Sequence, residues 1–307
     1  MISHSHDGPF PFWLRAMVMS GALAPGMVQA GAQTFNTALP VAEGNFVFRE
    51  QFLYRGASDD PSPADRDLSV SGAISVLGYG VTSDLTLFGA LPYLDKELTL
   101  DGPGGQRLER GSHGIGDARL FARYTLFHDD APGRTFRIAP FFGVETPTGD
   151  DHAADRFGRL PPPLQSGSGS WDPFGGLVLT YQTLDYELDA QLAYQANTEA
   201  NGFAFGDVTR LDGAVQYRLW PRQLGGGVPG FLYGVLESNL IHRDNNEFDG
   251  KGDANSGGTQ LFLSPGLQYV TRRWVVEGIV QLPVVQDLNG TALEDDVIVR
   301  AGFRVNF

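Results

Sequence analysis

From residue 44 onward, apolar and polar side chains alternate with period two, and the alternation is broken at intervals by Gly, Pro, Asn and Asp. Such alternation marks extended strands whose two faces meet different surroundings. Residues 185–197 are the clearest case: Tyr186, Leu188, Ala190, Leu192 and Tyr194 share one face, and Glu187, Asp189, Gln191, Gln195 and Asn197 share the other. The final stretch repeats the pattern, with Val297, Val299, Ala301, Phe303, Val305 and Phe307 opposed by Ile298, Arg300, Gly302, Arg304 and Asn306. In residues 206–221, Leu211, Val215, Tyr217 and Leu219 oppose Arg210, Asp212, Gln216 and Arg218; in 114–128, Ala118, Leu120, Ala122, Tyr124 and Leu126 oppose Asp117, Arg119 and Arg123. The chain accommodates about twelve such segments, each near the roughly 9 to 11 residues that carry a tilted strand across a bilayer.

Alternation alone also describes a soluble β-sandwich with its polar face outward. The connections separate the two, because they alternate along the chain between long polar loops and short turns, as a barrel with unequal ends requires. Long loops are predicted at 56–67, 95–113, 147–171, 198–206, 243–258 and 286–295; shorter turns at 82–84, 128–134, 183–185, 221–230 and 271–273. Both ends of the barrel chain then fall on the short-turn side. Tyr124, Tyr181, Tyr186, Tyr217, Tyr269 and Trp274 sit on the apolar ladder beside short turns, where amphipathic rings collect at a membrane interface. The predicted fold is an all-β transmembrane antiparallel up-and-down β-barrel of about 12 strands, with short periplasmic turns and longer extracellular loops. Glu50, among Phe46, Phe48, Phe52 and Tyr54, and Pro92, Pro140, Pro265 and Pro283 inside proposed strands, conflict with it and call for bulges or register shifts.

Ahead of the strands, residues 1–30 end in a short apolar stretch closed by Val28, Gln29 and Ala30, the small-x-small form of a leader cleavage site. This divides the chain into a signal peptide (1–30), a periplasmic N-terminal segment (31–43) and an outer-membrane barrel (44–307), in a Gram-negative outer membrane. Lipid, lipopolysaccharide and, through the terminal Phe307, the outer-membrane assembly machinery are the expected partners.

Composition narrows the chemistry. The chain has no Cys, which excludes a thiolate metal site, a Cys nucleophile and a lipoprotein anchor. Its formal net charge of −14 argues against nucleic acid as a partner. No cofactor and no metal site is expected. The loop 243–258 is rich in oxygen ligands but lacks EF-hand spacing. Asp59, Asp60, Asp65 and Asp67 in the first long loop, with Asp150, Asp151 and Asp155 in the third, either bridge divalent ions to lipopolysaccharide or keep the rim soluble.

The polar ladder faces inward in this arrangement. It carries Arg49, Arg119, Arg123, Arg137, Arg210, Arg218, Arg300 and Arg304 against Asp117, Glu145, Glu187, Asp189, Asp212, Glu237 and Glu277. With both signs present, no strong ion selectivity follows. Two readings stand side by side: the charges pair across a narrow lumen and fill it, or they orient a solute. Phe88, Phe121, Phe141, Tyr233, Phe262 and Ile279 share the ladder; they either pack the interior or make an amphipathic passage for a small apolar or aromatic molecule. Catalysis lacks a convincing constellation: Ser112 and His113 are sequence neighbours, and His242 lies near Glu237, Ser238 and Asn239.

GIGDARLFARYTLF (114–127), LSPGLQYVTRRWVVEGIVQLPVVQDLNG (263–290) and VIVRAGFRVNF (297–307) resemble the outer-membrane barrel family named for the meta-pathway of phenol degradation. The likeness runs from about residue 68 to the end. It implies a transporter of small, often aromatic or hydrophobic, compounds and brings no catalytic residues. The expected function is passive diffusion of such compounds, lined by Phe88, Asp117, Arg119, Phe121, Arg123, Arg137, Phe141, Glu145, Glu187, Asp189, Arg210, Asp212, Tyr233, Glu237, Phe262, Glu277 and Arg300. The alternatives are a structural or binding barrel whose acidic loops contact lipopolysaccharide or divalent ions, and a lipid hydrolase at the rim. Whether the segment before residue 44 or the 147–171 loop enters the lumen stays open.

Overall fold

The structure is a computed structural model that describes residues 30–102, 104–223 and 230–307. The predicted leader (1–30) therefore lies almost wholly outside the described residues, as do residues 224–229 of the expected turn at 221–230. Twelve antiparallel strands form one closed sheet: β1 (Phe46–Ala57), β2 (Asp67–Gly80), β3 (Leu85–Asp101), β4, β5 (Arg134–Thr146), β6 (Asp172–Thr183), β7 (Tyr186–Gln195), β8 (Val208–Trp220), β9 (Phe231–Arg243), β10 (Gly258–Val270), β11 (Trp274–Leu288) and β12 (Val297–Asn306). β4 runs in three pieces, Arg107–Ile115, Ala118–Tyr124 and Phe127–Ala131. Each strand pairs with its sequence neighbours, and β1 pairs with β12, Phe52 opposite Ala301, which closes the barrel. Closure leaves no open edge, so every strand can satisfy its backbone inside a bilayer.

The two faces divide as the alternation predicts. Along β7, Tyr186, Leu188, Leu192 and Tyr194 are exposed on the outside, while Glu187, Asp189 and Gln191 are buried inside. Apolar side chains turned out to lipid and polar ones turned inward are the arrangement of an outer-membrane barrel, which is where this chain resides. At the short-turn rim, Tyr181 and Tyr186 pack at 6.0 Å and Tyr269 and Trp274 at 5.6 Å, and Phe46, Tyr79 and Phe307 extend the girdle. No helix among the described residues is long and apolar enough to cross a membrane.

Three sequence expectations need correction. The loop expected at 95–113 is mostly strand, because β3 and β4 pair as far as Asp101 and Arg107. In this extension the alternation inverts: Asp95, Glu97, Glu109 and His113 are exposed, and Leu98, Leu100 and Leu108 turn inward. Outside the hydrocarbon layer the outer face meets water, so a lipid-facing pattern is not needed there. Glu50 requires no register shift, since β1 pairs without interruption on both edges. Its carboxylate lies on the outer face and accepts a 2.7 Å hydrogen bond from Ser75 Oγ. Lastly, residues 31–43 do not lie in the periplasm but inside the barrel, because the inner wall offers their backbone the acceptors and donors that water would otherwise supply.

The prolines are absorbed locally. Pro283 falls where the β10–β11 register shifts between Leu261 and Phe262. Pro92 has no N–H to give the ladder, but its carbonyl accepts from Gly116 N at 2.9 Å, where β4 breaks. Gly116 and Asp117 there are both buried, a bulge that turns the Asp117 carboxylate inward.

Candidate functional site

Residues 30–45 skirt the inner wall and descend through the strand order. Gly31 N donates to Gln268 Oε1 on β10 at 3.2 Å. Gln33 N and Thr34 N donate to the two carboxylate oxygens of Glu237 on β9, at 2.6 and 3.1 Å. Asn36 meets Gln191 on β7 and Ala38 N meets Thr180 Oγ1 on β6 at 2.8 Å. The Leu39 carbonyl accepts from Arg123 on β4, and Val41 N donates to Thr86 Oγ1 on β3 at 3.1 Å. The carbonyl of Gln33 is also gripped from β1, by Arg49 at 2.7 Å and Gln51 at 3.0 Å. An irregular backbone at membrane depth survives only where its polar groups find partners, and these wall residues supply them.

Beside this segment lies a cavity of about 1630 Å³ that reaches from the short-turn rim, at Arg272, Arg273 and Phe307, up to Arg119, Gln195 and Arg210. One wall is aromatic. Phe88 and Phe121 stack with centroids 4.7 Å apart, and Phe141 and Phe174 approach Phe121 edge-on at 6.5 and 5.9 Å. Arg119 lies over Phe174 at 4.2 Å and Arg123 over Phe88 at 4.9 Å, close enough for cation–π attraction.

Of the residues predicted to line a passage, Phe88, Arg119, Phe121, Arg123, Arg137, Phe141, Arg210 and Arg300 border this cavity. The others point inward but lie under other side chains. Glu237, Glu187, Asp212, Asp189, Glu277, Asp117 and Phe262 are all buried, and Tyr233 packs against the Val270 and Val275 cluster. Asp212 accepts from Gln191 at 3.0 Å, Asn239 at 2.9 Å and Arg210 at 3.0 Å. Glu277 pairs with Arg49 and Gln268, both at 2.8 Å, and Glu145 pairs with Arg119 at 3.2 Å. Arg218, expected in the interior, pairs with Asp185 at the rim turn. Sequence reasoning missed Gln33, Gln51, Thr86, Thr180 and Gln268. For the four on strands, the one signal was the Gln and Thr side chains on the polar ladder, uncharged and well suited to hydrogen-bond a passing backbone; Gln33 lies in the segment they hold.

The third long loop folds inward. Asp117 accepts from Gly149 N at 2.8 Å, Ser168 N at 2.6 Å and Ser168 Oγ at 2.8 Å. Lys96 Nζ donates to the carbonyls of Pro163 and Gln165 at 3.1 and 2.6 Å, and Ser112 Oγ donates to the Leu164 carbonyl. Leu160 and Leu164 are buried beneath this lid. The first loop is fixed by Arg66, whose guanidinium grips Asp60 with two hydrogen bonds at 2.9 and 2.6 Å. That pairing holds the Asp60 carboxyl well below the usual carboxylate range. In the third loop, hydrogen bonding to Arg110 lowers the Asp155 carboxyl from its ordinary value. The loop 243–258 forms a small hairpin, Glu247–Phe248 with Lys251–Gly252, that pairs with Phe203–Ala204 of the neighbouring loop.

Candidate catalytic groups remain apart. His242 Nδ1 lies 2.9 Å from Thr259 Oγ1 and Nε2 lies 3.4 Å from Asp244, whereas Ser112 is engaged with the third loop and His113 is exposed on the opposite face of its strand. Asp150, Asp151 and His152 bring ligand atoms within 4.8 Å of one another, but Asp151 is already bonded to His152 and Asn201 at 2.6 Å each.

The family described as "Putative MetA-pathway of phenol degradation" matches residues 65–281, which is most of the chain; of the stretches quoted above, residues 282–290 and 297–307 lie beyond the match. No curated protein sequence matches. Among solved structures, an outer membrane channel from Pseudomonas putida F1 superimposes with a TM-score of 0.65 at 12% identity, covering 88% of this chain and 98% of that one. The NanC porin gives 0.47 at 13% identity over 84% and 98%, and the β-domain of the Bordetella autotransporter BrkA gives 0.45 at 13% over 86% and 100%. At such identities the first of these likenesses speaks to the fold, a closed outer-membrane barrel.

Proposed function

The chain belongs to the phenol-degradation family just described, and from that premise we propose that it is an outer-membrane channel through which small, aromatic or hydrophobic solutes diffuse passively. The cavity of about 1630 Å³ beside the inner segment supports this reading most directly, because a barrel built only as a structural cylinder has no need to keep such a space. Its mixed lining of phenylalanine rings and guanidinium groups suits an amphipathic passenger. The lid formed by the third loop and the segment 30–45 narrow the route from opposite ends, so the passage is small. The acidic loops, with Asp59, Asp65 and Asp150 at their surface, are the proposed contact with lipopolysaccharide, and Phe307 the proposed handle for the assembly machinery.

Liposome swelling with purified protein tests the channel. Vesicles containing it are expected to take up benzyl alcohol-sized solutes faster than protein-free vesicles and to exclude disaccharides. Equal rates with and without protein would overturn the proposal.

A further inference from the structure

The inward charges are sorted by where they end, a distinction their spacing in sequence does not carry. Asp189, Asp212, Glu237 and Glu277 are buried in the wall, each already accepting hydrogen bonds. None of Asp117, Glu145, Glu187, Asp189, Asp212, Glu237 and Glu277 borders the cavity, whereas Arg49, Arg119, Arg123, Arg210, Arg300 and Arg304 all do; the acids that line it, Glu43, Asp84 and Asp130, belong to the short-turn end. Arg210 sits close enough to repel both Arg119 and Arg300. The Nε of Arg210 has no hydrogen-bond partner among the described residues, and that of Arg119 has only its ion pair with Glu145. A protein of net charge −14 thus lines its cavity with guanidinium groups, of which Arg49, Arg119 and Arg210 keep the acidic partners Glu277, Glu145 and Asp212 behind them.

Resting on the channel reading above, we propose that the cavity selects organic anions that carry an aromatic ring, with the carboxylate held between Arg119 and Arg210 and the ring against Phe88, Phe121 and Phe174. A guanidinium fork matches a carboxylate in shape and charge, and an aromatic ring adds edge-to-face contact with the phenylalanine cluster. Neutral phenols gain only the second of these, and short aliphatic acids only the first. The acids of the outer loops do not cancel the effect, because solvated charges are screened within about 8 to 10 Å in physiological salt, whereas the arginines act inside low-dielectric walls that focus their field. On this proposal the burial of most inward acids tips the interior, which carries both signs in sequence, toward anions.

Two measurements on the full chain test this separately from the channel itself. In planar bilayers under a potassium chloride gradient, the reversal potential is expected to show chloride favoured over potassium several-fold. In detergent, titration calorimetry is expected to find potassium benzoate binding at least about tenfold more tightly than potassium acetate or benzyl alcohol, and the double variant Arg119→Gln, Arg210→Gln is expected to lose about tenfold or more of that affinity. Circular dichroism checks that the variant keeps its strands, and Arg210→Lys should retain part of the binding. Current that favours potassium or neither ion, or benzoate binding no tighter than that of both comparison compounds, overturns the inference and leaves the channel standing. Benzoate binding without any current overturns the channel and leaves this site standing; neither current nor binding removes both.

Discussion

The backbone N–H of Gln33 donates to the carboxylate of Glu237 at 2.6 Å, although the two residues are 204 positions apart. The same carboxylate takes the N–H of Thr34 at 3.1 Å and the Thr34 hydroxyl. One buried acid on β9 thereby fixes the turn of the inner segment from which the rest of its path follows. Hydrogen bonds to a charged group contribute about 1.5 to 3 kcal/mol each, so Glu237 is the strongest single anchor of that path.

Replacing it tests the anchoring. Glu237→Ala is expected to leave the barrel folded, since the strand ladder is untouched, and to loosen residues 31–36. Hydrogen exchange at Gln33 and Thr34 should rise by about tenfold or more, the factor that corresponds to about 1.4 kcal/mol. Unchanged protection would show that the segment is held elsewhere.

Asp117 plays the matching part at the extracellular end. Three donors from the third loop converge on it, and Asp117→Ala removes the acceptor they share. The variant is expected to become cleavable by protease between residues 147 and 171, where the parent resists, while its heat-modifiable mobility on gels is retained. Equal resistance would assign the hold on this loop to Lys96 and Ser112 instead.

The first loop responds to pH through Asp60. Its folded-state carboxyl lies below the ordinary value because Arg66 favours the ionised form. The pairing therefore contributes in full above the ordinary carboxylate value of about 3.9 and is lost only as pH falls beneath it, through the folded-state value. Protection of the Ser62 and Arg66 amides is expected to be level from pH 7 to about 5 and to collapse in strong acid. Asp60→Asn should show the collapsed pattern already at pH 7. Loss of protection near pH 6 in the parent would contradict this assignment.

Glu50 concerns stability. It lies in the middle of β1, on the lipid side, with Ser75 Oγ as its hydrogen-bond donor. Acidic side chains on the lipid face of a barrel destabilise it, by less than the roughly 2 to 4 kcal/mol of a basic residue at the midplane. Glu50→Leu gives up one hydrogen bond of about 1 kcal/mol and gains apolar burial in lipid. Unfolding by guanidinium from lipid vesicles is expected to show a net gain of about 1 kcal/mol. A loss would mean that this carboxylate does not face hydrocarbon.

How much of this was legible in the sequence depended on which contacts are local. Tyr186 and Glu187 face opposite ways because a strand has period two, so once the connections mark a barrel the alternation assigns lipid and lumen along β7. The unequal connections, such as Thr183 to Asp185 against residues 147–171, give the orientation. Residues 31–43 carry no such period, and apart from Arg49 and Gln51 the wall residues that hold them, such as Thr86, Thr180, Gln191, Glu237 and Gln268, are distant in the chain. The strand extension near Asp95 and Glu109 was hidden because its alternation inverts once the outer face meets water. The arginine-rich lining of the cavity was hidden for a related reason: Arg210 and Asp212 look equivalent on the ladder, and it is the hydrogen bonds of Asp212 to Gln191, Asn239 and Arg210, with its burial, that keep it from the open space.

The most direct test of the central claim, that the barrel keeps a passage narrowed by a segment folded inside it, is the single-channel conductance of the full chain beside a variant lacking residues 31–43. Discrete small openings in the full chain, and openings several-fold larger in the shortened one, are expected. No openings in either protein, or the same conductance in both, would contradict the account.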